Sequence, residues 1–307
     1  MPLHPALQAM LDQAVGLPAM QTVPITAIRK ADLARYNIGI PKDPVASAVD
    51  RRIPGPSGEI PIRIYRPEPS GIHPVVVFFH GSGFCICSVE THDAMCRQIC
   101  RRGQAVVVSV DYRLAPENKY PAGPEDCWAA TLWTAAHAGD LGADPARLAV
   151  CGDSAGGTMA AVVAQRARDR RGPAIAAQVL LYPVTDHYSS ARPSYSERGS
   201  DFGLTADGMK WFWDLYLPSP EAGAEPLASP MRAQSLAGLP RTYIITAEYD
   251  LLRDEGDAYA HRLRADGVDV DHIRYADMNH GFLNWVGLVD RSTEAMNAIG
   301  VWIQMTL

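Results

Sequence analysis

Cysteine is sparse in this 307-residue chain and poorly spaced for cross-linking: Cys85, Cys87, Cys96, Cys100, Cys127 and Cys151 all fall in the first half. That distribution excludes the disulfide framework of a short secreted domain, and six reduced, packed thiols are expected. His80 and His92 stand near four of them, yet the intervals do not match paired Cys-x-x-Cys ligands, so no metal is expected. No apolar stretch reaches membrane-spanning length, and the start Met1-Pro-Leu-His-Pro lacks the basic and apolar regions of a signal peptide. A cytoplasmic protein without a membrane span is the expectation. Charge of one sign is lacking as well: 34 acidic against 28 basic side chains give a net charge of −6 with no long run of either, which argues against a nucleic-acid partner.

What is present is ordinary for a globular protein, 47% hydrophobic and 20% charged, in a chain long enough for a large core. Strand signals begin near Val49. Ile60, Ile62 and Ile64 then alternate with Pro61, Arg63 and Tyr65, as on a half-exposed antiparallel edge. Continuous apolar runs follow at Val75 to Phe79, Ala105 to Val108, Leu148 to Val150, Val179 to Tyr182 and Tyr243 to Thr246, and Val270 to Tyr275 alternates again. Helical periodicity appears at Leu3 to Gly16, Arg29 to Tyr36, Ala94 to Arg102, Glu125 to Ala138, Gly157 to Arg168, Asp254 to Ala265 and Ser292 to Thr306. Strands alternating with helices predict one α/β domain over residues 1–307, with a mainly parallel sheet of about eight strands covered on both sides.

Residues 186–230 interrupt this rhythm. Inside them Thr205 is placed to cap a helix running to about Leu217, with Leu204 and Met209 as its hydrophobic staple. Met209, Phe212, Trp213 and Tyr216 share one face of that helix, while Trp211 and Leu215 make the other side apolar too, so both sides need cover.

The chemistry concentrates at strand ends. The run Leu148-Ala-Val-Cys151 breaks into Gly152-Asp-Ser-Ala-Gly156 before a small-residue helix, a Gly-x-Ser-x-Gly turn that holds Ser154 proud of the sheet. On its own the pentapeptide is equally suited to phosphate binding or close packing. His80-Gly-Ser-Gly-Phe84 follows an apolar strand, and Gly81 and Gly83 let successive N–H groups converge on a developing oxyanion. A phosphate loop is the competitor, but no Gly-x-x-x-x-Gly-Lys pattern accompanies it. Asn279-His280-Gly-Phe282 follows the last strand. Tyr243 to Asp250 ends in two candidate acids, Glu248 and Asp250, of which Asp250 sits at the strand-to-helix turn and is assigned. The order Ser154, Asp250, His280 differs from that of the chymotrypsin and subtilisin folds.

Five motifs in consistent order, His80-Gly-Ser-Gly-Phe84, Asp111-Tyr-Arg-Leu-Ala-Pro-Glu117, Gly152-Asp-Ser-Ala-Gly-Gly157, Asp250-Leu-Leu-Arg-Asp-Glu255 and His280-Gly-Phe282, span roughly residues 60–290. In these the chain resembles the hormone-sensitive lipase-like family of α/β-hydrolases. Two departures stand out: Ser82 replaces the middle glycine of the family's His-Gly-Gly-Gly, and Leu251 replaces a common proline. The resemblance implies a serine carboxylesterase acting on short to medium acyl esters, with Ser154, His280 and Asp250 as catalytic residues. It implies an oxyanion hole from Gly81, Ser82, Gly83 and Ala155, and a cap from about residues 1–45 and 186–230. Phe84, Met209, Phe212, Trp213 and Phe282 are the expected pocket residues. Asp153, Tyr112, Arg113, Glu117 and Glu248 are expected to be scaffold. No cofactor is implied, and a small ester is the expected partner, a second copy of the chain being the one protein partner considered. Two other readings stay open on sequence: a small-amide hydrolase with the same residues, and a receptor on this fold, against which retention of His280 argues.

Overall fold

The computed structural model describes residues 1–36, 39–81 and 83–307. Eight strands, β1 (Ser47–Gly55), β2 (Gly58–Arg66), β3 (His73–Phe79), β4 (Val106–Val110), β5 (Ala143–Asp153), β6 (Ala177–Leu181), β7 (Arg241–Tyr249) and β8 (Val270–Asn279), form one sheet in the order β1-β2-β4-β3-β5-β6-β7-β8. Only β2 runs against its neighbours; from β4 to β8 every pairing is parallel. The alternating segment Ile60 to Tyr65 is therefore antiparallel, but it is not the edge. β1 covers its outer side, and Tyr65 is fully buried with its hydroxyl donating to Asp93 at 3.0 Å.

Among the described residues nine α-helices accompany the sheet: α1 (Pro5–Ala14), α2 (Ile25–Tyr36), α3 (Asp93–Gly103), α4 (Ala122–His137), α5 (Ala155–Asp169), α6 (Pro193–Glu197), α7 (Ala206–Tyr216), α8 (Arg253–Ala265) and α9 (Asp290–Thr306). The strand period of two sorts the core into two halves. Val75, Val77 and Phe79 of β3 pack with Met159 and Ala160 of α5, Cys127 of α4 and Leu263 of α8. Val76 and Phe78 pack on the opposite face with Met95 and Ile99 of α3 and Met296 and Ile303 of α9. Burial on both faces explains why these strands read as unbroken apolar runs. Each such Val or Leu contributes about 1.5–3 kcal/mol by leaving water.

The N-terminal segment is tied to this body at both ends. Leu3 and Leu7 are buried beside Met278 and Phe282, and the His4 amide donates to Asp277 O at 2.9 Å. Further on, α2 begins at Ile25, one turn earlier than its periodicity suggests. Its Arg29 grips Glu117 with both terminal nitrogens, at 2.9 and 2.8 Å, and donates to the carbonyls of Cys85 and Ala115. Glu117 is thus scaffold, as is Arg113, whose guanidinium makes two 2.8 Å bonds to the buried Asp126. Between β6 and β7 the chain leaves the sheet to form α6 and α7, and the Thr205 hydroxyl caps α7 by accepting from the Gly208 amide at 3.0 Å. All six cysteines are free.

Candidate active site

β5 ends at Asp153 and α5 begins at Ala155, so Ser154 alone makes the turn, at φ 54° and ψ −121°, a strained conformation for a residue with a side chain. The turn closes because two side chains are missing. A Cβ on Gly152 would strike the Gly156 carbonyl, and one on Gly156 would strike the Phe79 carbonyl. Both obstacles are backbone and cannot swing away. Gly156→Ala is therefore expected to cost several kcal/mol and lower the melting temperature by on the order of 10 °C. A melt that matches wild type would show that the elbow has more room than this geometry allows.

The sheet then brings two distant loops to Ser154. Asp250 directly follows β7 and His280 directly follows β8. His280 Nδ1 donates to Asp250 Oδ2 at 2.7 Å, and Ser154 Oγ lies 2.9 Å from His280 Nε2. Asp250 is buried, and its other oxygen accepts the Leu252 amide at 2.8 Å, which fixes the carboxylate plane. The second candidate acid, Glu248, faces away and is held by Arg198, Arg253 and Arg274. Burial works against its charge, but these cations outweigh it and keep the carboxyl below its usual range.

A further acid lies behind Asp250. Glu255, in the first turn of α8, is completely buried and accepts the Thr185 and Asp186 amides at 2.8 and 3.3 Å. Burial, against the pull of those amides and aided by the charges of Asp186 and Asp250, pushes its carboxyl up to about 8. Near neutral pH it keeps its proton. Because the folded value exceeds the unfolded one of 4.5, the native state binds the extra proton between them, and stability falls as pH rises from about 5 to about 8. Glu255→Gln retains the acceptor oxygen but cannot ionise, so its melting temperature is expected to decline less over that window. Parallel curves for the two proteins, measured from pH 5 to 9, would refute this.

The loop after β3 comes next to the elbow. Gly81 does not offer its N–H to the site, contrary to the sequence expectation. That N–H donates to Asp153 Oδ1 at 2.6 Å, a bond to a carboxylate that leaves nothing for an oxyanion. Ala155 stands at the first position of α5, where amides have no partner within the helix. Gly83 lines the cavity that holds Ser154. Ser82 lies outside the described residues. His80 is buried against Tyr112, ring centroids 4.5 Å apart, and the Tyr112 hydroxyl donates to His80 O at 2.8 Å. Burial and the neighbouring His92 push the His80 imidazole down to about 3, so it stays neutral.

Ser154 and His280 open into a cavity of about 280 Å³ whose far wall comes from α1 (Leu7, Met10, Leu11) and α7 (Met209, Phe212). A wider depression of about 580 Å³, between α5 and residues 226–237, holds none of these residues. Of the five residues expected in a pocket, Met209 and Phe212 line this cavity, and Phe84, Trp213 and Phe282 do not. Phe84 stacks on Tyr216 at 4.0 Å with Trp213 5.2 Å away, and Phe282 packs against Tyr182 and Tyr275. All three are buried in the core; Trp213 is there because the residue next to Phe212 on a helix points about 100° away from it. Sequence reading missed His92, Arg35, Asn284 and Trp285 on the cavity wall. His92 carried a signal in its closeness to the cysteines, but it was weighed only as a metal ligand and set aside on spacing. Among the described residues no group of three His, Cys, Asp or Glu is placed to hold one.

An eight-stranded, mostly parallel sheet with serine, histidine and aspartate at its strand ends defines an α/β hydrolase, and the comparisons agree. The model of the α/β-hydrolase fold family matches residues 76–284. Esterase LipI of Mycobacterium tuberculosis is 46% identical over 283 residues, covering 89% of this chain and 86% of that protein. Carboxylic ester hydrolase LipN of the same organism is 46% identical over 256 residues, 81% of this chain and 68% of that one. Among solved structures, a hyperthermophilic esterase from the archaeon Pyrobaculum calidifontis superposes with a TM-score of 0.96 at 42% identity, covering 99% of both chains. The chain belongs to the hormone-sensitive lipase-like carboxylesterases of the α/β-hydrolase superfamily. Among the described residues no helix is long and apolar enough to cross a membrane.

Proposed function

We propose that this protein hydrolyses short to medium acyl carboxylic esters through an acyl-enzyme formed on Ser154. The observation that carries this reading is the unbroken chain of hydrogen bonds Ser154 Oγ, His280, Asp250 at 2.9 and 2.7 Å. Ser154 Oγ attacks the ester carbonyl carbon while its proton passes to His280 Nε2. The tetrahedral oxyanion is met by the N–H groups of Gly83 and Ala155. Collapse breaks the ester bond, and the alcohol leaves with the proton from His280. Water then enters and attacks the acyl carbon as it gives a proton to His280, and the bond to Ser154 Oγ breaks as His280 returns that proton to Oγ, which releases the acid and free Ser154.

The cavity supports the size limit in this reading. About 280 Å³ is at the small end for ligand sites, with α1 and α7 closing its far side. In this reading residues 1–45 and 186–230 form a cap over a single domain, and its apolar lining takes the acyl chain. The free cysteines and the absence of a membrane-crossing helix among the described residues are compatible with a cytoplasmic enzyme. Incubation with an organophosphate, followed by peptide mapping, is expected to place one adduct on Ser154. An adduct elsewhere, or none on active protein, would remove the mechanism. Turnover of p-nitrophenyl esters graded from acetate to palmitate is expected to fall steeply beyond medium chains, and matched anilides are expected to react far more slowly.

A further inference from the structure

Asp153 immediately precedes the nucleophile, is 3% exposed, and does not touch His280 or Asp250 in any hydrogen bond described above. One of its oxygens accepts the Gly81 amide at 2.6 Å. His92 Nε2 lies 3.3 Å from that oxygen and 3.4 Å from the other. Facing a carboxylate, Nε2 carries a proton. His92 is itself oriented by the Thr91 hydroxyl, 2.9 Å from Nδ1, and Thr91 is tied to both the amide and the carbonyl of Ser88. The approach of Asp153 to the loop is so close that a Cβ on Gly81 would collide with its carboxylate. Burial opposes the charge on Asp153, but His92, the Gly81 amide and His80 together hold the carboxyl below its usual range.

A buried carboxylate beside a forming oxyanion is a hazard to catalysis unless it does something in return and its charge is answered. Here it joins the two halves of the oxyanion site: Ala155 hangs from the elbow that Asp153 belongs to, and Gly83 from the loop that Asp153 holds. Without that link the two amides sit on separate chain segments, β5–α5 and the loop after β3. The loop's first residue is also tied by the Tyr112 hydroxyl, which donates to His80 O.

We propose that Asp153, supported by His92, is a positioning residue that sets the spacing between the loop amide of Gly83 and the elbow amide of Ala155. Gly81 is the handle it grips, and His92 both orients the carboxylate and offsets its charge. The inference rests on the Ser154 mechanism above, because an oxyanion must form for the spacing to matter.

Kinetics on p-nitrophenyl butyrate and inhibition by an alkyl trifluoromethyl ketone, whose serine adduct places an oxyanion in the hole, are measured for wild type, D153A and D153N. D153A is expected to lose about 10- to 100-fold in kcat, less than deletion of a hole donor, with KM within about threefold. Affinity for the ketone is expected to drop by a similar factor. D153N keeps an oxygen for the Gly81 amide, so it is expected to recover most of both losses. The proposal is overturned if D153A changes only the melting temperature, if KM rises while kcat holds, if ketone affinity is untouched, or if D153N is as impaired as D153A. Should D153A not fold, D153N and H92A carry the test, with kcat and ketone affinity expected to fall together in H92A. Wild type that the ketone fails to inhibit would instead defeat the Ser154 mechanism itself.

Discussion

Ser154→Ala is expected to fold like wild type and to hydrolyse esters slower by on the order of 10⁶, the scale seen when a triad serine is removed from subtilisin. Ser154 is 8% exposed and its Oγ makes one described hydrogen bond, to His280 at 2.9 Å. The strained turn is held by backbone contacts that alanine retains: the Ser154 amide donates to Leu181 O at 2.8 Å, and Ser154 O accepts from Val184 and Thr158. Stability should therefore be nearly unchanged while chemistry is lost. Circular dichroism melts with steady-state rates on one ester check both halves. A loss of only tenfold would mean that another group attacks the carbonyl.

Asp250→Asn is expected to cost about 10⁴ in kcat, by forcing the wrong tautomer on His280. Asp250 Oδ1 is committed to the Leu252 amide at 2.8 Å, so the asparagine oxygen stays there and its NH₂ takes the place of Oδ2, 2.7 Å from His280 Nδ1. Facing a donor, Nδ1 must present its lone pair, and the ring proton moves to Nε2, where Ser154 needs a base. Glu248 cannot substitute, since its carboxylate is spent on three arginines. Rates for Asp250→Asn and Glu248→Gln, compared on one substrate, separate the two acids. If Glu248→Gln proved the more damaging, the orienting role of Asp250 would be wrong.

Much of the architecture was legible because it follows from local periodicity. Runs apolar at every position, such as Val75 to Phe79, can only be strands covered on both faces, and the two core halves found on β3 are that statement in three dimensions. The second strand misled for a related reason: Ile60, Ile62 and Ile64 alternate as an edge would, but alternation reports exposure of one face and says nothing about which strand lies alongside. The elbow was legible because glycines at 152 and 156 answer a steric demand made by residues close in sequence.

Aromatic content was a poorer guide. Met209, Phe212 and Trp213 look alike in a sequence, yet on α7 the first two line the cavity and the third is core. Gly81 was misassigned because a glycine in the loop motif shows that its amide can be approached closely, and not by which group. The approach comes from Asp153, 72 residues away, whose own role was hidden behind the serine next to it.

The sequence by itself determined the alternation of strands and helices, the order of serine, aspartate and histidine, and the sharpness of the nucleophile turn, all of which depend on neighbours a few residues apart. Only the tertiary structure decided which loop amide is already occupied and which aromatic rings reach the cavity. Those outcomes depend on where strand ends that are remote in sequence come to lie, and a hydrogen bond of 2.6 to 2.9 Å is settled by distances that no pattern of residue types encodes.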